Sequence, residues 1–225
     1  LKLLGNGKAF GLKHINYTYQ QGEGGIAEAL GLTEHFAGGD SVAVVLGDNL
    51  IEGNIRRSVQ AFREQRKGAR ILLKEVSDPQ RFGVPILEGS RVVRIEEKPV
   101  VPKSNFAVTG IYMYEPSVYE IVKTLKPSAR GELEITDLNR LYLEKGKLHV
   151  ELFGRGTAWL DTGTHDSLIE AAQFVHVLEN RTGLKIACIE EIAFKQGWID
   201  RAGLEANIKK LGKSAYGQYL KRLLA

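Results

Sequence analysis

The 225 residues carry 31 Lys and Arg against 27 Asp and Glu, a net charge of +4, with 43% hydrophobic and 26% charged residues. This is the composition of an ordinary globular chain, long enough to bury one large core, and it excludes a low-complexity or disordered protein. Acids and bases are interleaved along nearly the whole length, so a pI near 9.0 marks no nucleic-acid surface and suits phosphorylated small molecules equally well.

The single cysteine, Cys188, excludes an internal disulfide, and its apolar flanks suggest a buried thiol in a reducing cytosol. No apolar run approaches the roughly 18 residues of a membrane span, and the first residues show no secretory pattern. The chain is therefore expected to be cytoplasmic, with no membrane and no nucleic-acid partner.

In chain order, Leu1 to Leu4 reads as the end of a helix stopped at Gly5-Asn6-Gly7, and residues 15–19 as a strand. Gln20-Gln21-Gly22-Glu23-Gly24-Gly25 then precedes the helix formers Ile26-Ala27-Glu28-Ala29-Leu30. Glycines let a backbone approach closely and a helix amino end offers free N–H groups, so this loop suits a phosphate or a base edge; a flexible connector is the plainer alternative. Val42-Ala43-Val44-Val45-Leu46 is an apolar run of strand length that switches at once to Gly47-Asp48-Asn49. A run without alternation suits a strand covered on both faces, as in a parallel sheet, and puts Asp48 at the carboxyl edge where ligands bind in open α/β sheets. Capping of a following helix is the competing role for Asp48.

Residues 54–67 form a charged amphipathic helix stopped at Gly68, and residues 69–76 a strand, in βαβ rhythm. A loop over 77–83 leads to a hairpin of residues 84–87 and 91–95 with its turn at Glu88-Gly89-Ser90, ending on Glu96-Glu97-Lys98-Pro99. Pro99 ends the ladder and biases Lys98 to extended geometry. Residues 105–114 form a strand, residues 115–125 a helix, and a loop holding Arg130 and Glu132 opens a helix running to Lys145. A strand over 149–153 and a short one over 158–164, carrying Trp159 and Asp161, precede helices at 166–180, 190–194 and 204–211. The expected organisation is α/β: a Rossmann-like mixed, mainly parallel sheet flanked by helices over 1–181, with a helical appendage over 182–225.

Asp48 and Asp161, 113 positions apart, both end strands before small-residue turns. If those strands are close, the two carboxylates face one another across a cleft, which is the ligand set Mg²⁺ takes when it also holds substrate phosphates. Lys98 and Arg130 supply positive charge for an anionic substrate group. Trp159 shares a strand face with Asp161 and is either a pocket wall or core packing. The histidines lack zinc spacing and the P-loop pattern is absent. The residues by themselves point to metal-dependent phosphoryl or nucleotidyl transfer.

Leu46-Gly47-Asp48-Asn49, Arg81-Phe82-Gly83-Val84, Glu96-Glu97-Lys98-Pro99, Val108-Thr109-Gly110, residues 129–137, residues 158–164 and the closing Tyr216-Gly217-Gln218-Tyr219-Leu220 together resemble the sugar-1-phosphate nucleotidyltransferases nearly end to end. The resemblance implies attack of the phosphate oxygen of glucose 1-phosphate on the α-phosphorus of dTTP, giving dTDP-glucose for deoxysugar and polysaccharide biosynthesis, with loss of pyrophosphate. It implies Asp48 and Asp161 as Mg²⁺ ligands and Gln20 and Gly25, beside Asp48, as the nucleotide side. It also implies Gly83, Glu97, Lys98, Val108, Arg130, Glu132 and Trp159 as the sugar-phosphate side, in a homo-oligomer that is tetrameric by resemblance.

Two departures accompany it. Gln21 and Glu23 stand where the family's loop carries prolines. The family's Gly-Gly-x-Gly-x-Arg-Leu-x-Pro-x-Thr loop and the lysine after it are not found, and Leu1 matches a point roughly 55 residues, or about two βα units, into such a protein. The expectation is a chain with exposed apolar sheet edges that turns over dTTP poorly by itself. The competing reading is a non-catalytic module, derived from that family, that binds a sugar nucleotide or assembles with an intact relative.

Overall fold

A computed structural model describes residues 2–89 and 91–225. It has two compact units, Thr18–Ala171 and Leu1–Tyr17 with Ala172–Ala225. The expected split at 181/182 thus differs from the observed one: the first residues group with the carboxyl-terminal helices.

In chain order the elements of the larger unit are α1 (Ile26–Gly31), α2 (Glu34–Ala37), β1 (Val42–Val45), β2 (Asn49–Ile51), α3 (Arg56–Gln65), β3 (Ala69–Glu75), β4 (Gly83–Glu88), β5 (Arg91–Glu97), β6 (Phe106–Tyr114), α4 (Val118–Val122), α5 (Ile135–Glu144), β7 (Leu148–Leu152) and β8 (Trp159–Asp161). A helix α6 (His165–Thr182) contains the boundary between the units. A four-stranded sheet runs β1-β6-β3-β7, beside the two-stranded pairs β2-β8 and β4-β5.

The α/β class and the mixed, helix-flanked sheet are as expected, but the strand directions differ. Among the described residues only β3–β7 is parallel; β1–β6 and β3–β6 are antiparallel. β6 is buried along nearly its whole length, and side-chain alternation sorts its residues onto two cores. Val108, Tyr112 and Tyr114 join Ile71 and Leu73 of β3 against Val118, Leu138 and Tyr142 from α4 and α5. Ile111 and Met113 join Leu72 on the opposite face, where Ile55, Val59 and Phe62 pack from α3 and the turn before it. Those three residues recur at helical spacing, and α3 then ends where Arg66 turns to φ 61°.

The apolar run at 42–46 is not covered on both faces. β1 lies at the sheet edge, paired only to β6 among the described residues, and its burial alternates, with Val45 57% exposed. Residues 15–19 form no strand: Ile15 N–H donates to Asn6 O at 3.0 Å and the Tyr17 hydroxyl to Gly5 O at 2.7 Å, so local turn contacts replace a ladder. Of the helix end expected at Leu1 to Leu4, Leu1 lies outside the described residues; residues 2–6 are turns that lead to a short 3-10 helix, Lys8–Phe10. The 84–95 hairpin forms as expected, its turn residue Ser90 lying outside the described residues.

In the smaller unit α7 (Ile189–Lys195), α8 (Arg201–Leu211) and α9 (Ala215–Arg222) pack through Cys188, Leu204, Ile208, Tyr219 and Leu220. Asp200 and Ser214 cap α8 and α9 by accepting from Gly203 N–H at 2.8 Å and Gly217 N–H at 3.0 Å. Burial pushes the Cys188 thiol above its ordinary pKa, so it is inert packing material, as its apolar flanks suggest. No described helix is long and apolar enough to cross a membrane.

An edge strand with an exposed valine offers unpaired backbone groups to another chain. Val45→Lys is expected to lower concentration-dependent light scattering while shifting unfolding free energy by less than about 0.5 kcal/mol, as for a surface change.

Candidate active site

One cavity of about 490 Å³ in the larger unit is lined by Asp48, Asn49, Arg81, Phe82, Gly83, Glu97, Lys98, Val108, Gly110, Tyr112, Arg130, Glu132, Glu134, Thr136, Trp159 and Asp161, among others. Nine residues that the sequence reading selected, from Asp48 to Asp161, meet on its wall. Two do not line it: Gln20 and Gly25 lie before Ile26, the lining residue of their segment.

Asp48 does not cap a helix; it lies in the turn from β1 to β2. β2 runs antiparallel to β8 with Asn49 opposite Asp161 and Ile51 opposite Trp159, and the Asp48 carbonyl accepts from both Thr162 N–H and Thr162 Oγ1 at 2.9 Å. The two aspartates are thereby brought to the same cavity by a three-residue ribbon rather than by the large sheet. Asn49, to which the sequence reading gave no role, is the fastener. Its Nδ2 donates to Asp48 Oδ1 at 2.7 Å, while its Oδ1 accepts from Trp159 Nε1 at 2.6 Å and from Gly110 N–H at 3.1 Å. A Cβ on Gly110 would lie 2.7 Å from the Asn49 amide, so glycine makes the room for it. Trp159 is a wall of the cavity, its ring 4.9 Å from that of Phe82.

Asp161 Oδ1 accepts from Arg81 Nη2 at 2.9 Å and from Gly163 N–H at 3.1 Å. Across the cavity, Gly83 opens β4 opposite Glu97 of β5. A Cβ there would lie 3.1 Å from Thr136 Oγ1 and 3.5 Å from both Glu97 Oε2 and Val108 Cγ2, so the absent side chain keeps this floor open. The Thr136 hydroxyl donates to Glu97 and fixes its carboxylate. Lys98 is not extended as Pro99 suggested: its φ is 42°, and its N–H donates to Phe82 O at 3.0 Å. A tertiary hydrogen bond holds the residue in a left-handed conformation that a lysine seldom adopts, a kind of strain that collects at functional sites.

Arg130 is not an unpaired cation. It holds both oxygens of the buried Glu134 at 2.9 Å and reaches Glu132 at 3.4 Å and Glu97 at 3.8 Å. The Glu134 hydrogen bonds raise the Arg130 pKa. Burial pushes the Glu134 carboxyl up, but hydrogen bonds from Arg130 and Ser128 outweigh it and leave its pKa below the ordinary range. Burial, followed by the charges of Glu97 and Asp48, raises the Tyr112 hydroxyl well above its usual value, so it stays neutral.

Gln20 is folded onto its own loop, donating to Glu28 Oε2 at 2.6 Å and Gly25 O at 3.0 Å. Gly25 has φ 91°, and a Cβ on it would lie 2.5 Å from Leu133 O. Leu133 N–H donates to Gly24 O at 2.8 Å and Leu133 O accepts from Ala27 N–H at 3.2 Å. The glycine run is therefore neither a free connector nor an open cradle at this point; it lets the loop zip against residues 132–133.

The wall carries five carboxylates, Asp48, Glu97, Glu132, Glu134 and Asp161, against Arg81, Lys98 and Arg130. Arg130 and Arg81 are committed to acids, and no ion pair reaches Asp48 among the described residues. The imbalance suits a cation. Asp48 and Asp161 put two hard carboxylate donors on this wall, the oxygen ligands Mg²⁺ takes, and no group of three or more metal-binding side chains occurs among the described residues.

The loop contact and the Glu134 pair each generate an expectation. Gly25→Ala should cost at least twice as much in urea unfolding as Gly22→Ala, about 1 kcal/mol for positive φ alone, because Gly22 faces open space. Since Glu134 has a lowered folded pKa, its stabilisation is present above the ordinary glutamate value near about 4.3 and is lost as pH falls through the lower folded value. Glu134→Gln should flatten the melting temperature against pH in that acidic window.

A family model described as nucleotidyl transferase matches residues 1–177. The glucose-1-phosphate thymidylyltransferase of Neisseria meningitidis serogroup A is 50% identical over 225 residues, covering 99% of this chain and 78% of that protein. The Mycobacterium tuberculosis protein of the same name is 47% identical, with 99% and 77% covered. A solved structure of a Bacillus anthracis protein assigned to the glucose-1-phosphate thymidylyltransferases, in complex with a sucrose, superposes with a TM-score of 0.72 at 48% identity, covering 77% of this chain and 69% of that one. A UDP-glucose pyrophosphorylase complexed with UDP-glucose shares the fold at a TM-score of 0.65 and 23% identity, with 72% and 65% covered. With a family model spanning most of its length and relatives at half identity, this chain belongs to the nucleotidyl transferase family.

Proposed function

We propose that the chain transfers a deoxythymidylyl group from dTTP to glucose 1-phosphate, giving dTDP-glucose and pyrophosphate, with Mg²⁺ held by Asp48 and Asp161. One observation carries this reading: two aspartates 113 positions apart line one acid-rich cavity whose remaining polar wall suits a sugar phosphate. The names of the half-identical relatives supply the choice of nucleotide and sugar.

In this mechanism the sugar phosphate oxygen attacks the α-phosphorus, the bond to the β-phosphate oxygen breaks, and pyrophosphate leaves. Asp48 and Asp161 would hold the divalent cation, which would supply charge neutralisation at the α-phosphate. The chain's own residues position the reactants. Glu97, fixed by Thr136, accepts from sugar hydroxyls. Gly83 and Val108 give the sugar a close floor, and Trp159 with Phe82 closes one side. Lys98, exposed and held by its backbone bond to Phe82, presents an ammonium to the sugar phosphate. Arg130 orders the acidic side through Glu134 and Glu132. From beside the cavity wall, on a loop shaped by Gly25, Gln20 exchanges its Glu28 bond for one to the pyrimidine edge. No covalent intermediate is needed, so orientation and charge neutralisation carry the rate. We place the protein in the cytoplasm as a homo-oligomer, in keeping with its free, buried Cys188.

The test is pyrophosphate release from dTTP and glucose 1-phosphate with Mg²⁺, together with the thermal shift caused by dTDP-glucose. Asp48→Asn and Asp161→Asn should each lower release by about 10²-fold or more, and Lys98→Ala should raise KM for glucose 1-phosphate about tenfold. A dTDP-glucose shift with no release selects the non-catalytic binding module; no shift and no release overturns both readings.

A further inference from the structure

Arg81 is the cavity cation to which the sequence reading assigned no role. It closes a 3-10 turn, Pro79–Arg81, and its guanidinium spans two acids: Nη1 lies 3.0 Å from Asp78 Oδ2, and Nη2 lies 2.9 Å from Asp161 Oδ1. Its Cζ stands 5.2 Å from the centre of the Phe82 ring, which is itself tilted against Trp159. Asp161 is the less exposed partner, at 18% of its side chain against 40% for Asp78. A half-buried carboxylate needs a positive neighbour, and here a side chain from 80 positions away supplies it.

We propose that Arg81 is the resident counter-ion of Asp161, competing with the divalent cation for that carboxylate and turning to a substrate phosphate oxygen when the cation arrives. This rests on the reading of Asp161 as a metal ligand. The geometry supplies the pivot. Asp78 and the Phe82 ring hold the root of the guanidinium, so only the Nη2 end has to change partners, and an arginine fork accepts a phosphate as readily as a carboxylate. Two positive groups cannot both hold the same oxygen cheaply. Asp161 Oδ1 already accepts from Gly163 N–H as well as from Arg81, so a metal that takes this oxygen displaces the guanidinium. Charge at Asp161 is thus balanced both before and after loading, and metal occupancy becomes linked to phosphate capture.

Arg81 is a positioning residue in this scheme, so the readout is cation affinity. Free Mn²⁺ is titrated against the intact protein by electron paramagnetic resonance, without nucleotide. Arg81→Gln should bind Mn²⁺ about fivefold more tightly than the native chain, the size of the loss of one competing ion pair. Arg81→Lys should fall between, since an ammonium keeps the charge but cannot span both acids. Inorganic pyrophosphate, added after Mn²⁺, should bind less tightly to Arg81→Gln. Unchanged or weaker Mn²⁺ binding in Arg81→Gln, with binding lost in Asp161→Asn, overturns the counter-ion role and leaves the metal site standing. Undiminished binding in Asp161→Asn overturns the metal reading and the counter-ion role together. Should Arg81→Gln fail to fold, the native protein decides the matter. The Arg81 Nε–H signal in ¹⁵N-resolved nuclear magnetic resonance, assigned by its loss in Arg81→Lys, must shift on adding Mg²⁺, and an unmoved signal refutes the proposal.

Discussion

The site depends on the pairing of β2 with β8. Each strand is only three residues long, and a two-stranded ribbon of that length has little stability of its own. It holds because the side chains fasten what the ladder cannot. Asn49 bonds to Asp48, to the Trp159 indole and to the Gly110 backbone, so one amide ties the ribbon to the buried strand β6. The Thr162 amide and hydroxyl both bind the Asp48 carbonyl from the opposite side. Asp48 and Asp161 sit at the same end of this ribbon and are positioned only as well as these bonds are.

Charge is arranged around that ribbon by compensation rather than accumulation. Arg130 is enclosed by three carboxylates and Arg81 bridges two, so each guanidinium organises acids as much as it offers charge. Lys98 differs, because it is held by its backbone and its ammonium is exposed. Such an arrangement suits a site that must admit a highly anionic ligand together with a cation. Fixed positive charge alone would hold the phosphates in place, whereas paired charge can be exchanged at small cost.

The larger sheet contributes rigidity. β6 and β3 are buried through both faces, one against α4 and α5 and the other against α3, and the site's Val108 and Gly110 come from β6 itself. β1 is the exception. Its edge position and exposed Val45 leave the strand that precedes Asp48 less supported than the strand beside it. The glycine loop before α1 gains order from elsewhere, by zipping to residues 132–133, which couples the segment bearing Gln20 to the segment bearing Arg130 and Glu132.

Much of this was legible in the amino-acid order. Apolar periodicity located the α3 helix, the β3 and β6 strands and the 84–95 hairpin, because burial imposes a period wherever one face meets a core. Asp48, Lys98 and Asp161 stood out as charged residues at strand ends, and Glu97 through the matched motif that contains it. The direction of β1 was not legible, since an apolar run of four or five residues reads alike in parallel and antiparallel sheets. The left-handed turn at Lys98 is set by the carbonyl of Phe82, a contact that no local preference encodes. Asn49 and Arg81 stood inside matched motifs without a role, because their partners lie from 61 to 110 positions and 80 positions away. Residue type and local pattern determined which side chains could do the chemistry; chain folding alone decided which of them share a cavity, because hydrogen bonds and ion pairs act over a few ångströms of space whatever their separation along the chain.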